Sequence, residues 1–302
     1  MSPLLQIIQL SVAGTTKQNE NVGSTALRTS TVQVGRHRIE ASVFGQGTPA
    51  IVIEPSFGGI AAEWQPIAEA LAKDTTVITY DRVPYGVSSR AHDRRTPGDI
   101  AADLQAVLRE LAVPDPVILA GHSVGGMYAR MYAARYPQAV VGMLLIESSH
   151  EGQRLLLNQV FTWKVKLEGM LFYPKVICSG LAWRNGADRR SLLREWRAFN
   201  ALTSADRPLA PGALGEKPLI VLTRADGGPY GGRQWELWHQ FHVGQARLSA
   251  NSRHILSGVA DHNLHQGDPD LVISAAREVL RSVRTGTPLQ AQGDTSNASP
   301  QS

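Results

Sequence analysis

The chain has a single cysteine, Cys178, among its 302 residues. That excludes an intrachain disulfide and any cluster of thiolate metal ligands. Long apolar runs are missing too: no stretch reaches the roughly 20 residues that a membrane-spanning helix needs. Excess charge is small, a formal +4 at pH 7, with Lys+Arg 30 against Asp+Glu 26. The basic residues are spread along the chain and no basic block alternates with aromatics, so nucleic acid is not expected as a partner. The 9 histidines are scattered without ligand spacing, so no metal site and no cofactor is expected. The opening MSPLLQIIQLSVAG has no Lys or Arg ahead of its short apolar patch, and it is expected to be a tail or a packed arm rather than a secretory leader. One cysteine and no evident leader fit a cytoplasmic protein.

What is there reads as an ordinary globular chain, 43% hydrophobic and 19% charged. It is long enough for one large domain or for a domain with an insertion. Residues 1–29 are expected as a loosely held extension. From Thr31 apolar residues alternate through Val43 across a Gly35-Arg36 turn, which predicts a β-hairpin. Short apolar runs at 50–54, 75–80, 117–120, 140–146, 219–222 and 254–257 predict buried strands. Helical patterns lie between them at 64–71, after Thr96-Pro97, after Gly126, at 233–248 and after Asp268-Pro269. Strands alternating with helices predict a mostly parallel sheet covered on both faces. The alternation stops at Glu147 and resumes at Leu219. Residues 148–217 therefore predict a helical cap inserted between two strands, with the core made of residues 30–147 and 218–285. In that insertion Leu192, Leu193, Trp196, Phe199 and Leu202 share one face and Arg189, Arg190, Arg194 and Arg197 the other. This is read as a cap helix laying its apolar face over the site, in preference to a helix lying on a membrane surface. Residues 286–302 predict a disordered tail.

The chemistry centres on VILAGHSVGGMYARMYAARY, residues 117–136. A Gly-x-Ser-x-Gly pentad between a buried strand and a helix is a nucleophile elbow. Gly121 and Gly125 let strand and helix approach closely, and Ser123 is left exposed on a strained turn. The N–H groups opening the helix point at negative charge forming on a bound carbonyl. A serine hydroxyl is a weak nucleophile and needs a base beside it. His262 and His265, in ADHNLHQGDP after the last strand, are the candidates, and His262 is preferred because it is closer to the strand end.

The elbow GHSVGG, the loop YDRVPYGVSS and the C-terminal DHNLHQGDP resemble the α/β-hydrolase superfamily of serine esterases and acyl hydrolases over roughly residues 30–285. More narrowly, the chain resembles bacterial members with a YDRxGYG loop. The resemblance implies a serine hydrolase cleaving a carboxylic ester or related acyl bond, with Ser123 as nucleophile and His262 as base. It implies backbone N–H groups of Phe57 and Val124 as the oxyanion hole. It leaves two positions for the triad acid, Glu147 after one strand and Asp226 after the next, with Glu147 slightly preferred. Glu54 is expected to be a structural hydrogen-bonding residue. The chain departs from the common pattern at Pro55-Ser56, where His-Gly is usual, at Asp261, where Gly is usual before the base, and at Val83-Pro84. The expected partner is a small acyl substrate with an apolar part. Lactone, amide, thioester or carbon–carbon bond hydrolysis, or a non-catalytic ligand-binding homologue, are the alternatives on the same scaffold.

Overall fold

The computed structural model describes residues 26–90, 95–152, 194–195, 209–227 and 232–289. Cys178, most of the expected cap, the expected cap helix other than its residues 194–195, and residues 1–25 and 290–302 lie outside the described residues.

Eight strands form one sheet: β1 (Ala26–Val34), β2 (His37–Phe44), β3 (Ile51–Glu54), β4 (Val77–Tyr80), β5 (Val117–His122), β6 (Val140–Ile146), β7 (Leu219–Thr223) and β8 (Ser252–Leu256). Their order across the sheet is β1-β2-β4-β3-β5-β6-β7-β8. β2 is antiparallel to both β1 and β4, and the pairs from β4 through β8 are parallel. β1 starts at Ala26, upstream of the alternation that begins at Thr31. An edge strand is bonded on one side only and part of it faces solvent, so its apolar period is weak where Arg28 and Thr29 stand exposed.

The described helices are α1 (Gln65–Leu71, preceded by a 3₁₀ turn over Ala61–Trp64), α2 (Pro97–Glu110), α3 (Val124–Arg135), α4 (Arg233–Ala246), α5 (Leu264–Gly267) and α6 (Pro269–Thr285). α2 begins where Thr96 accepts a hydrogen bond from the Asp99 N–H at 3.2 Å while Asp99 accepts from the Thr96 N–H at 2.8 Å. This reciprocal cap satisfies two helix-end donors. α6 is capped by Asp268, whose side chain accepts from Leu271 N–H, and it stops at Gly286 in the left-handed conformation.

The period-2 pattern of the strands sorts their side chains into two cores. Val52, Val117 and Leu119 join Leu104, Leu108, Ala129 and Tyr132 of α2 and α3 on one face. Ile51, Ile53, Ile118 and Ala120 join Ile67 and Leu71 of α1 and Val272 and Val279 of α6 on the other. A sheet buried on both faces needs strands apolar at nearly every position, and β3, β4, β5 and β7 are buried throughout. The carboxyl ends of β5 to β8 come level, with His122 beside Ile146, Ile146 beside Leu222 and Thr223 beside Leu256. In an open parallel sheet that edge is where loops from neighbouring strands converge on a ligand.

Candidate active site

The elbow closes at the end of β5. Ser123 has φ 54° and ψ −122°, a region that non-glycine residues occupy only under strain, at about 1–3 kcal/mol. The strain is held by close packing. A Cβ on Gly125 would stand 2.2 Å from the Glu54 carbonyl oxygen, and one on Gly121 would stand 2.5 Å from Gly126 Cα. Gly126 is equally tight, since a Cβ there would meet Ser148 Oγ at 2.3 Å. The Ser123 N–H donates to the Ile146 carbonyl at 3.0 Å and its own carbonyl accepts from Ser149 N–H at 2.8 Å. These bonds tie the elbow to the end of β6.

His262, in the loop between β8 and α5, reaches Ser123. Its Nε2 lies 3.1 Å from Ser123 Oγ and its Nδ1 lies 3.0 Å from Glu147 Oε2. His265 has a different setting: its ring stacks on Trp64 at 4.4 Å, and neither ring nitrogen has a hydrogen-bond partner among the described residues. Burial, with His262 nearby, pushes its pKa down to about 3.

Glu147 follows β6 with φ 46°, a second non-glycine residue in the left-handed region. Its side chain is fully buried. Oε1 accepts from the Arg224 N–H at 2.8 Å, and Oε2 accepts from Trp238 Nε1 at 3.0 Å as well as from His262. Arg224 Nε lies 3.4 Å from Oε2. Burial alone would raise this carboxyl. The His262 hydrogen bond, the neighbouring His242 and the Arg224 N–H outweigh it and hold the pKa below the ordinary carboxylate value. Asp226 is placed apart. It is exposed, and its Oδ1 accepts from the Gly232 N–H at 3.0 Å rather than from His262.

Behind Glu147 lies a chain of neutral groups. His242 Nε2 donates to the Ser148 carbonyl at 3.0 Å, so its Nδ1 accepts from Thr223 Oγ1 at 2.6 Å. Thr223 Oγ1 then accepts from His254 Nε2 at 2.7 Å. Burial brings His242 to about 4, and burial with the neighbouring His239 brings His254 to about 4. The group facing Glu147 from this side is thus uncharged at neutral pH and becomes a cation, holding the Glu147 carboxylate ionised, only as pH falls toward about 4.

Phe57 and Val124 pack in one small apolar cluster with Ile100, Met127 and Tyr128. Val124 is the first residue of α3, so its N–H has no acceptor within the helix. The turn before Phe57 is held by Arg82, whose Nη1 donates to the Pro55 carbonyl at 2.6 Å and whose Nη2 donates to the Ser56 carbonyl at 2.7 Å. Arg82 is fixed in turn by Glu54, 2.8 Å away, which also accepts from the Tyr80 hydroxyl. Glu54 therefore sits in a structural network, and Ser56 in place of the usual glycine leaves its backbone free to be held this way.

Three supporting residues carry little local sequence signal. Trp238 looks like one more apolar residue of α4 and Arg82 like a loop cation. His122 precedes Ser123; its Nε2 donates to the His262 carbonyl at 2.9 Å, tying the His262 loop to the elbow. The one available hint was the YDR loop itself, whose arginine is fully enclosed by the sheet end.

The model of the α/β hydrolase fold family matches residues 49–175. The uncharacterized protein YqjL of Bacillus subtilis is 22% identical over 235 residues, covering 78% of this chain and 85% of that protein. A (lyso)-N-acylphosphatidylethanolamine lipase of Mus musculus is 30% identical over 104 residues, 33% of this chain, and the match spans only 30% of the lipase. Among solved structures, a thermophilic esterase from Thermogutta terrifontis superposes with a TM-score of 0.57 at 24% identity, covering 85% of this chain and 99% of the esterase. No helix among the described residues is long and apolar enough to cross a membrane. With its eight-stranded sheet, its helices on both faces and its strand–elbow–helix at the sheet's carboxyl edge, the chain has the α/β-hydrolase fold, whose family model matches it over residues 49–175.

Proposed function

We propose that the protein is a serine hydrolase that cleaves a carboxylic ester or related acyl bond through an acyl-enzyme. Its fold and its esterase and lipase relatives support a hydrolase activity. The observation that carries the finer reading is the relay of Ser123 Oγ, His262 and Glu147, joined by contacts of 3.1 and 3.0 Å.

A carboxylate can only accept, so the Glu147 contact puts the ring proton on His262 Nδ1 and leaves the Nε2 lone pair facing the Ser123 hydroxyl. Ser123 Oγ attacks the carbonyl carbon while its proton passes to Nε2. The imidazolium so formed lies against the ionised Glu147. The carbonyl oxygen takes the negative charge, and the N–H groups of Phe57 and Val124 receive it, at about 2.7–4 kcal/mol per donor. As the tetrahedral adduct collapses, the bond to the leaving group breaks and Nε2 gives that group its proton. Water then attacks the acyl-serine by the same route, and Ser123 recovers its proton. The apolar cluster around Phe57 and Val124 suits a small acyl substrate with an apolar part.

A panel of p-nitrophenyl esters of rising chain length, with a lactone and an amide included, tests the reading together with labelling by a fluorophosphonate. The expected result is ester turnover and one label per chain, both lost in Ser123→Ala. A wild-type chain that takes no label and turns over no acyl substrate would leave a ligand-binding protein on the same fold.

A further inference from the structure

Arg194 and Glu195 are the only described residues between 153 and 208. Glu195 is 3% exposed, a carboxylate buried against parts of the chain remote from it in sequence. Its Oε2 accepts from the Tyr85 hydroxyl and its Oε1 from the Tyr128 hydroxyl, the latter at 3.1 Å. Arg82 Nη2 lies 3.5 Å from Oε1. Tyr128 stands on α3, the helix that opens at Ser123, and Tyr85 on the loop after β4. Burial first, and the Glu195 charge next, push both tyrosine hydroxyls well above their ordinary pKa, so they are protonated donors at neutral pH.

The same Arg82 that faces Glu195 holds the carbonyls of Pro55 and Ser56, the two residues before Phe57. The Phe57 ring also meets the Tyr85 ring edge-on at 6.3 Å. One carboxylate from the region between β6 and β7 thus touches three groups, two of which contact the turn that presents the Phe57 N–H. Arg82 Nη2 stands between the Ser56 carbonyl and the Glu195 carboxylate, so removing that charge weakens the hold on a buried guanidinium.

We propose that Glu195 is a positioning residue. Its carboxylate bonds to Tyr128 of α3 and, through Arg82 and Tyr85, holds the turn at Pro55–Phe57 in the geometry that a tetrahedral oxyanion requires. This rests on the serine-hydrolase reading above. Turnover then depends on Glu195 even for substrates too small to touch it.

The test compares wild type with Glu195→Ala, Glu195→Gln and Tyr128→Phe, all assayed where circular dichroism shows them folded. Two readouts are followed: the rate at which a fluorophosphonate labels Ser123, and the rate of tryptic cleavage after Arg194. In Glu195→Ala both labelling and kcat for p-nitrophenyl acetate fall about tenfold, as small misplacements of a reacting geometry do, while KM changes less than about twofold. Cleavage after Arg194 becomes faster. Glu195→Gln keeps an acceptor for the tyrosines but removes the charge facing Arg82; it recovers protease resistance and only part of the labelling rate. Variants that are cut faster yet label at the wild-type rate would make Glu195 purely structural. Variants cut no faster would remove the holding role of the Tyr85 and Tyr128 bonds, and full rescue by Glu195→Gln would remove the route through Arg82. A wild-type chain that takes no label overturns the serine reading and the coupling with it, whereas a labelled wild type with equally labelled variants overturns the coupling alone. Should Glu195→Ala not fold, Glu195→Gln and Tyr128→Phe carry the same comparison.

Discussion

Glu147 and Asp226 end neighbouring parallel strands, and their surroundings are opposite. Glu147 has no exposed surface and takes hydrogen bonds from three directions: the backbone after β7, the indole of Trp238 on α4, and His262 from the loop after β8. Asp226 is exposed and takes one from the Gly232 backbone. Both are carboxylates on loops at the same edge of the sheet. Only the buried one is a fixed negative charge, because its donors replace the water it gave up, whereas water screens the exposed one to about 0–1 kcal/mol for any pair it makes. An orienting acid needs a dry, fully bonded place more than it needs a particular strand.

The comparison has meaning only if the relay is the catalytic device, so the largest effect tests that first. Ser123→Ala is expected to remove turnover by about six orders of magnitude in protein free of host esterase. Retained turnover would end the serine mechanism and make the two carboxylates equivalent bystanders. Next in size, Glu147→Gln is expected to lower kcat by about 10³–10⁴-fold, since it keeps the shape but not the charge that stabilises the imidazolium. Asp226→Asn is expected to stay within about twofold of wild type. The reverse ranking would move the acid to Asp226. The base can be sharpened the same way. His262→Ala should lose several orders of magnitude and His265→Ala little, because His265 is stacked on Trp64 and not bonded to Ser123.

A smaller effect probes what makes the Glu147 site special. Trp238→Phe removes one donor to a charged acceptor, about 1.5–3 kcal/mol, so kcat should fall roughly tenfold if that donor fixes the carboxylate. An unchanged kcat would assign the orientation to the Arg224 backbone and side chain.

The smallest effect concerns stability. His242 and His254 are depressed to about 4 and His265 to about 3, from an ordinary 6.5. As pH falls below 6.5 the unfolded chain takes up protons that the folded chain refuses. Stability is therefore whole above that pH and is lost progressively down to about 3–4. Glu147, held below its ordinary 4.5, contributes stability that is present above 4.5 and lost as pH falls through its folded value. Tm should be flat between about pH 8 and 7 and then decline, with a shallower decline in His265→Leu. An identical slope in that variant would mean that His265 takes its proton in the folded state without cost.

Much of this was legible along the chain. The elbow declared itself because a strand, a glycine-flanked serine and a helix are contiguous, and the capped start of α2 declared itself because Thr96, Pro97 and Asp99 are adjacent. The choice between His262 and His265 rested on distance from a strand end, and the structure brings His262 to Ser123. Trp238 and Glu195 gave no such signal. An indole N–H or a carboxylate has a pattern in sequence only when its partner is a neighbour, and theirs lie 91 residues away for Glu147 and 110 and 67 residues away for Tyr85 and Tyr128.

The amino-acid sequence by itself determined the strands and helices, the split of apolar side chains between two faces of a sheet, and the elbow with its serine. Each follows from periodicity or from steric demands within a few residues. Only the tertiary structure decided which carboxylate meets His262, which groups bond that carboxylate, and what holds the turn before Phe57. His262 and Glu147 are 115 residues apart. Contacts across that separation are set by the order of strands in the sheet and by which loop ends can bury a charge with every donor matched, and no local pattern encodes either.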